Sequence, residues 1–365
     1  MTLFTDGDRI GDYEVERFLG QGAFAEVYRV KHRHLRWRRA MKVFKRIGTL
    51  EETEELLDEA RMLTKFKHPN IVQVFDASTV STPAGVRGYF TMDYMPMNLY
   101  AFWRSYGNQF VPVGTTVDIL HQVCLGLAAA HAEQPPIIHR DVTPMNILIS
   151  LHERPQVQVS DFGLAKNVHP LTGFVSTKGN PAFKPPEALR NLQADSAASD
   201  VWAIGTMAYL LLTDRLPWAD AYGPSSLFGT AHLESPNPPH KLNFEVDDGL
   251  ERIVLGALEI DPKKRPQDAG VLAEELAGWL VQRELERQTK EINMVQGTSK
   301  TALSPPVPND RDDLQALVER ALTLGRQAST LPEAENLMEE AIAKDTRLAR
   351  EHEHRLRMWR KGIVA

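Results

Sequence analysis

The chain has 365 residues, a formal net charge of −6, 42% hydrophobic and 25% charged residues, the proportions of an ordinary soluble protein with apolar material for a real core. That charge gives no electrostatic case for nucleic acid or an anionic membrane as the main partner. A single cysteine, Cys124, excludes a disulfide framework and a cysteine-based zinc site and suits a reducing compartment.

The opening segment, "MTLFTDGDRIGDYEV", lacks the charged-then-apolar pattern of a secretion signal. The best apolar run, Ala203 to Leu212, is too short to span a bilayer. A cytoplasmic location is therefore expected, with no membrane as partner. Up to about Tyr94 the chain favours strands: "YEVERFLGQGAFAEVYRV" and "RRAMKVFK" are rich in β-branched and aromatic residues broken by glycines. One helix is predicted from about Leu50 to Lys65, carried by Leu56, Leu57, Ala60 and Leu63 and stopped by His68-Pro69-Asn70.

From about Asn98 to Arg287 the pattern turns helical, with "TTVDILHQVCLGLAAAH", "DVWAIGTMAYLLL", "GLERIVLGAL" and "DAGVLAEELAGWLVQREL" amphipathic or apolar throughout. Two lobes are predicted, 1–94 and 95–287. Residues 288–311, with "GTSKTALSPPVPND", have linker composition. Residues 312–365 read as two or three amphipathic helices, with Pro332 near a helix start.

Four short motifs carry chemistry. "LGQGAFAEV", Leu19 to Val27, places Gly20 and Gly22 between two strands, where backbone amides can lie close over phosphates. Taken alone, a glycine pair marks only a turn, and a dinucleotide-binding turn is disfavoured because a strand follows where a helix should open. Lys42 in "RAMKVF" lies in a strand, and Glu59 lies in the apolar stripe of the next helix. A carboxylate there can hold the ammonium against nucleotide phosphates, and without a partner a buried glutamate would be costly.

"HRDVTPMN" sets Asp141 and Asn146 on a loop before an apolar strand, and "VSDFG" sets Asp161 after another. Asp141 can orient a hydroxyl and accept its proton, while Asn146 and Asp161 can share Mg²⁺, a hard cation that prefers oxygen ligands. Each could serve as a structural cap by itself; all of them in this order and spacing are hard to obtain by chance.

On these residues the chain resembles the eukaryotic-type Ser/Thr protein kinases over roughly Tyr13 to Gln288. The resemblance implies an α+β bilobal fold, with a small β-rich N-lobe, a larger helical C-lobe and ATP with Mg²⁺, or Mn²⁺ in its place, in the cleft. It implies a protein substrate. Small-molecule kinases share the aspartate and asparagine but usually lack the "PPE" closure at 185–187 and the arginine, here Arg265, expected to pair with Glu187. Asp200 matches the helix-borne aspartate that braces the catalytic loop, and Ala25 stands where the third loop glycine is usual.

By the same resemblance Met92 is the gatekeeper and the backbone of Asp93 to Met95 meets the adenine. Val27, Ala40 and Leu148 sandwich the ring under the loop that runs through Leu19, Gly20 and Gly22. Two positions depart from the family pattern. Thr143 stands where a lysine contacts the γ-phosphate and the catalytic aspartate, and Asn180 stands where a threonine bonds both. A hydroxyl and an amide can keep hydrogen bonds there, but the charge is not replaced.

Losing one preorganised stabiliser costs about 10²–10³ in rate, so a slower kinase is expected. The alternative is a pseudokinase acting as a nucleotide-binding switch or scaffold. Arg140 is placed to pair with a phosphate on the loop before Glu187, at Ser176 first and then Thr177 or Thr172. Met145 stands where a glutamate often meets a substrate arginine, so no such preference is expected.

The tail loosely resembles one tetratricopeptide-like hairpin, whose stripe of Ala334, Leu337, Met338, Ala341 and Ile342 cannot be buried by a lone repeat. It is expected to dock on the C-lobe, on a second copy of the chain or on a partner protein through 312–365.

Overall fold

Apolar residues alternate with polar ones along about the first quarter of the chain, and the strands they form split their side chains between two faces. In the computed structural model, which describes residues 2–22, 25–45, 64, 67–107, 109–151, 154–162, 181–191, 194–218, 235–299, 310–325, 330–344, 348, 352, 356 and 359, six strands make one antiparallel sheet. They are β1 (Arg9–Ile10), β2 (Tyr13–Gln21), β3 (Ala25–His32), β4 (Arg38–Phe44), β5 (Val74–Thr82) and β6 (Gly85–Met92), in the order β1-β2-β3-β4-β6-β5.

On β4 the period of two sends Ala40 and Phe44 to one face, where they join Val72, Val74, Phe90 and Met92. It sends Met41 and Val43 to the other, against Ile10, Val15, Tyr28 and Val30. Lys42 shares the face of Ala40 and Phe44, opposite Val27 on one neighbour and Phe90 on the other. A residue flanked by apolar partners thus aims its ammonium into the space below the sheet.

The predicted helix from Leu50 to Lys65, with Glu59, lies outside the described residues except at Thr64. Past it the chain pairs with the other lobe. Ile71 bridges Val159, Val72 N donates to the Val159 carbonyl at 2.9 Å, and Val159 N donates to Asn70 O at 2.8 Å. Val159 belongs to a second, three-stranded sheet of β7 (Met97–Asn98), β8 (Ile147–Leu151) and β9 (Pro155–Val159).

The helical lobe comprises α1 (Leu99–Ser105), α2 (Val113–His131), α3 (Pro186–Arg190), α4 (Ala197–Thr213), α5 (Asp248–Ala257) and α6 (Ala269–Ser299). Helix α4 is apolar nearly all round and correspondingly buried from Ala198 to Thr213, as a helix at the centre of a lobe must be. It ends at Asp214, whose φ of 56° is left-handed. Helix α2 is long and apolar enough by length and composition to cross a bilayer, a candidate the sequence expectation passed over in favour of Ala203 to Leu212. Here it is a core helix, packed on α6 and β9, with Val117, Ile119, Leu120, Val123 and Leu127 fully buried. Gly126 lets α2 meet the chain at Asn70, since a Cβ there would lie 2.5 Å from the Asn70 carbonyl oxygen.

Helix α6 does not stop near Arg287; it runs on to Ser299, into the stretch whose composition reads as linker. Its sequence there is rich in helix formers, and Glu284 bonds both Arg287 (2.9 and 3.0 Å) and Gln288 (2.9 Å) one turn on. Beyond the undescribed 300–309, α7 (Asp310–Leu324) and α8 (Leu331–Lys344) form a hairpin. Ala334 and Met338 of the expected stripe pack against Ala321 and Leu331 and against Leu356 and Trp359 further along, a cluster separate from that of the C-lobe. The hairpin therefore closes its stripe largely with its own chain, an arrangement absent from the three that the sequence reading considered. Gly325 is what permits it, because the Trp359 ring lies where a Cβ would project.

Candidate active site

The cleft between the lobes is built from four backbone segments, each fixed by its own hydrogen bonds. The segment His139–Arg140–Asp141 is held from beneath by Asp200 of α4. Its carboxylate, 1% exposed, accepts from the backbone amides of His139 (2.8 Å) and Arg140 (2.9 Å) and is bonded to His131 Nε2 at 2.9 Å. Arg140 takes a φ of 68°, a left-handed turn that throws the next residue, Asp141, up into the cleft. The bracing expected of Asp200 is thus present as two main-chain bonds.

His139 ties this loop to the segment before Asp161. The Asp141 amide donates to His139 Nδ1 at 3.2 Å, so Nε2 carries the proton and donates to Ser160 O at 2.8 Å. Asn146 completes the brace: its Nδ2 donates to the Asp141 carbonyl (2.8 Å) and to the Asp141 carboxylate (3.1 Å). With Nδ2 turned to Asp141, the other face of the amide presents Oδ1, an oxygen donor suited to a hard cation.

Asp161 also has a left-handed φ, of 64°, and its Oδ1 pairs with Lys42 Nζ at 2.7 Å. This contact joins the two lobes and half-buries both charges, at 14% and 34% side-chain exposure. The second oxygen of Asp161 has no partner among the described residues. Asn146 and Asp161 together make an oxygen donor pair that fits Mg²⁺ when phosphate oxygens supply further ligands. Glu59, the expected partner of Lys42, lies outside the described residues.

The nucleotide-side residues also converge. Val27 and Leu148, one from each lobe, pack against the cluster that holds Ala40 and Met92. Asp93 spends its amide on Gln73 O (3.1 Å) and its carboxylate on Arg39 (3.3 Å), while the Met95 amide has no bond to any described residue. Leu19 is exposed at the rim. A Cβ on Gly20 or Gly22 would meet nothing within 4 Å, so packing within the chain does not require these glycines, and the space over them is open to a ligand.

Thr143 is buried, and its carbonyl accepts from Asn146 N at 3.0 Å. Asn180 and the loop residues Thr172, Ser176 and Thr177 lie outside the described residues. Beyond that loop Glu187 meets Arg265 in two bonds, of 2.6 and 2.9 Å. Sequence reasoning missed two contacts at the cleft. Arg140 already has a carboxylate partner, Asp195, at 3.6 Å, and the Lys184 ammonium donates to the Arg140 carbonyl. Both are long-range pairings of Arg140 with residues outside the four motifs, Asp195 and Lys184, and no local spacing announces them.

A family model described as "Protein kinase domain" matches residues 13–277. The chain is similar to serine/threonine-protein kinase Pkn1 of Myxococcus xanthus, 35% identical over 71% of this chain and 37% of that protein. It is also similar to PknB of Mycobacterium leprae, 31% identical over 72% of this chain and 42% of that protein. It thus spans well under half the length of these curated relatives. Among solved structures, a point mutant of the PknI kinase domain of Mycobacterium tuberculosis superposes with a TM-score of 0.56 at 22% identity, over 76% of this chain and 99% of that one.

Proposed function

The chain belongs to the protein kinase domain family, and from that premise we propose that it transfers the γ-phosphoryl group of Mg·ATP to serine or threonine hydroxyls of proteins. The observation that supports this best is the arrangement of two bonded pairs, Lys42 with Asp161 (2.7 Å) and Asn146 with Asp141 (2.8 and 3.1 Å), whose segments are tied together through His139. Asp141 stands with its carboxylate oriented by Asn146, ready to align the acceptor hydroxyl and take its proton as the new P–O bond forms and ADP leaves. Lys42 holds the phosphates, the glycine loop covers them, and Val27, Ala40 and Leu148 enclose the base against the backbone of Asp93 to Met95.

Asn146 and Asp161 would hold Mg²⁺, which when bound neutralises phosphate charge. Mn²⁺, also a hard cation with oxygen ligands, would serve in its place. The closure by Glu187 and Arg265 favours a protein substrate over a small molecule. A phosphate at Ser176, Thr177 or Thr172 would compete with Asp195 for Arg140, which makes the loop a regulatory element. Nothing in the charge of the chain favours nucleic acid as a partner, and a cytoplasmic site of action fits a substrate of this class.

The test is phosphoryl transfer from labelled Mg·ATP to serine- and threonine-containing peptides. Wild type should transfer, and Asp141→Asn should lose transfer while still binding nucleotide. Label transfer equal in the two proteins would instead support a nucleotide-binding scaffold, the reading that Thr143 in a lysine position favours.

A further inference from the structure

Transfer of a phosphoryl group spreads negative charge over its equatorial oxygens, so a cation near the catalytic aspartate is worth having. Around Asp141 the described cations are few. Lys42 pairs with Asp161 and, on the kinase reading, is committed to the nucleotide phosphates and not to the acceptor side of Asp141. Arg140 turns its guanidinium to Asp195. Position 143 is a buried threonine.

Lys184 remains. It follows the short turn Pro181–Phe183 and precedes α3, and the chain there is fixed on both sides. The Lys184 amide donates to Pro181 O at 3.2 Å, and Glu187 is clamped by Arg265. From this base the side chain folds back until Nζ donates to the Arg140 carbonyl, the peptide oxygen directly before Asp141. It lines the same cleft as Asp141 and Thr143.

Among the described residues no carboxylate lies within ion-pair distance of this ammonium. Two of the acidic groups in the cleft are engaged elsewhere: Asp200 by the amides of His139 and Arg140 and by His131, and Asp195 by Arg140. A half-buried ammonium held by one neutral carbonyl is under-compensated, and a flexible four-carbon stem lets it move to an anion.

We propose that Lys184 supplies the cation that position 143 lacks: with substrates bound, its ammonium stabilises the phosphoryl group in transfer beside Asp141. This rests on the kinase reading of the site. In effect the charge has moved from the catalytic loop to the segment that closes the activation loop, and it comes into place only when that segment is folded against Arg140.

The experiment is steady-state kinetics of the full chain with Mg·ATP and two peptides that differ only in having glutamate or alanine after the acceptor serine. Lys184→Met should lower kcat by about 10²-fold on both peptides, with the KM for ATP and the melting temperature close to wild type. Lys184→Arg should retain most of the rate, and Thr143→Lys added to Lys184→Met should restore it at least tenfold. An unchanged kcat for Lys184→Met, in a protein whose activity Asp141→Asn abolishes, overturns the proposal and leaves the kinase reading intact. A loss seen only with the glutamate peptide overturns it too, assigning the ammonium to a substrate side chain. A loss that Thr143→Lys does not restore, accompanied by a lower melting temperature, reduces Lys184 to a structural contact. Transfer that survives Asp141→Asn removes the kinase reading and this inference with it.

Discussion

The guanidinium of Arg265 holds the Glu187 carboxylate by two bonds, of 2.6 and 2.9 Å, with the arginine side chain fully buried. The same guanidinium bonds the carbonyls of Glu259, Ile260 and Ala198 and lies 4.7 Å from the centre of the Trp202 ring. Removing it leaves a carboxylate and three carbonyls short of a donor. Arg265→Ala should cost about 3–5 kcal/mol, read as a lower midpoint in urea unfolding. Arg265→Lys should recover only part of this, because an ammonium cannot make the paired geometry.

Asn146 orients Asp141 and, on the proposed reading, would also offer an oxygen to Mg²⁺. Asn146→Ala should therefore lower kcat by about 10²-fold or more and raise the Mg²⁺ concentration needed for half-maximal rate. Chelation of the metal should remove transfer in wild type. A metal titration unchanged in Asn146→Ala would remove this residue from the metal site.

Asp195 neutralises Arg140 in the absence of any phosphate. Phosphatase-treated Asp195→Asn should be slower than phosphatase-treated wild type, and the two should converge once the loop carries phosphate. Kinetics before and after treatment, with mass spectrometry of Thr172, Ser176 and Thr177, measure this. Equal rates for the treated proteins would show that the Arg140 pair does not order the loop.

Asp214 closes α4 in a left-handed conformation and accepts from Trp103 Nε1 at 2.6 Å. Asp214 is exposed, and the partial desolvation it undergoes at the end of α4 raises its carboxyl above the ordinary value, more than the Trp103 bond and the nearby Arg104 lower it. A raised folded-state pKa means that ionisation is less favourable in the native protein. Asp214 thus lowers stability as pH climbs past its unfolded value, about 3.9. Asp214→Asn keeps an acceptor and tolerates the same φ, so its melting temperature should exceed that of wild type at pH 7. The gain should shrink toward pH 4.

The hairpin of α7 and α8 has its own cluster, closed by Trp359. A chain ending at Ser299 should keep the melting temperature and the rate of the full protein. Gly325→Leu should unfold the hairpin alone, seen as increased exposure of Trp359. If truncation lowers the main transition in a protein that was monomeric throughout, the hairpin is part of the C-lobe and not a separate contact module.

How much of this was legible in the sequence depends on the range of each interaction. Asp141, Asn146 and Asp161 are announced by motifs because their geometry is set within a few residues. Lys42 is readable because strand alternation puts it on the face of Ala40 and Phe44. The bilobal division follows from the change of period near Tyr94. Lys184 and Asp195 were not legible, since each acts at the cleft only through a fold that brings it back to Arg140. The run of α6 to Ser299 was missed because its outer turns carry only Ile292, Met294 and Val295 as large apolar residues, too few to set a period, and pairs such as Glu284 with Arg287 just before them have no apolar signal. The closure by Trp359 was missed because a stripe on one helix says nothing about which later residue will cover it.

The bonds that tie Asn70 and Val72 to Val159, with Leu148 set into the N-lobe cluster, have a consequence for how the molecule comes apart. The N-lobe sheet borrows from the C-lobe at its base, and Gly126 of α2 lies directly beneath that seam. Neither lobe can melt without exposing part of the other, so heating should produce one calorimetric transition for the pair. Opening of the cleft is then a tilt about the Asn70–Val159 seam, with the rim near Gly20 travelling farthest and the base of the sheet hardly moving.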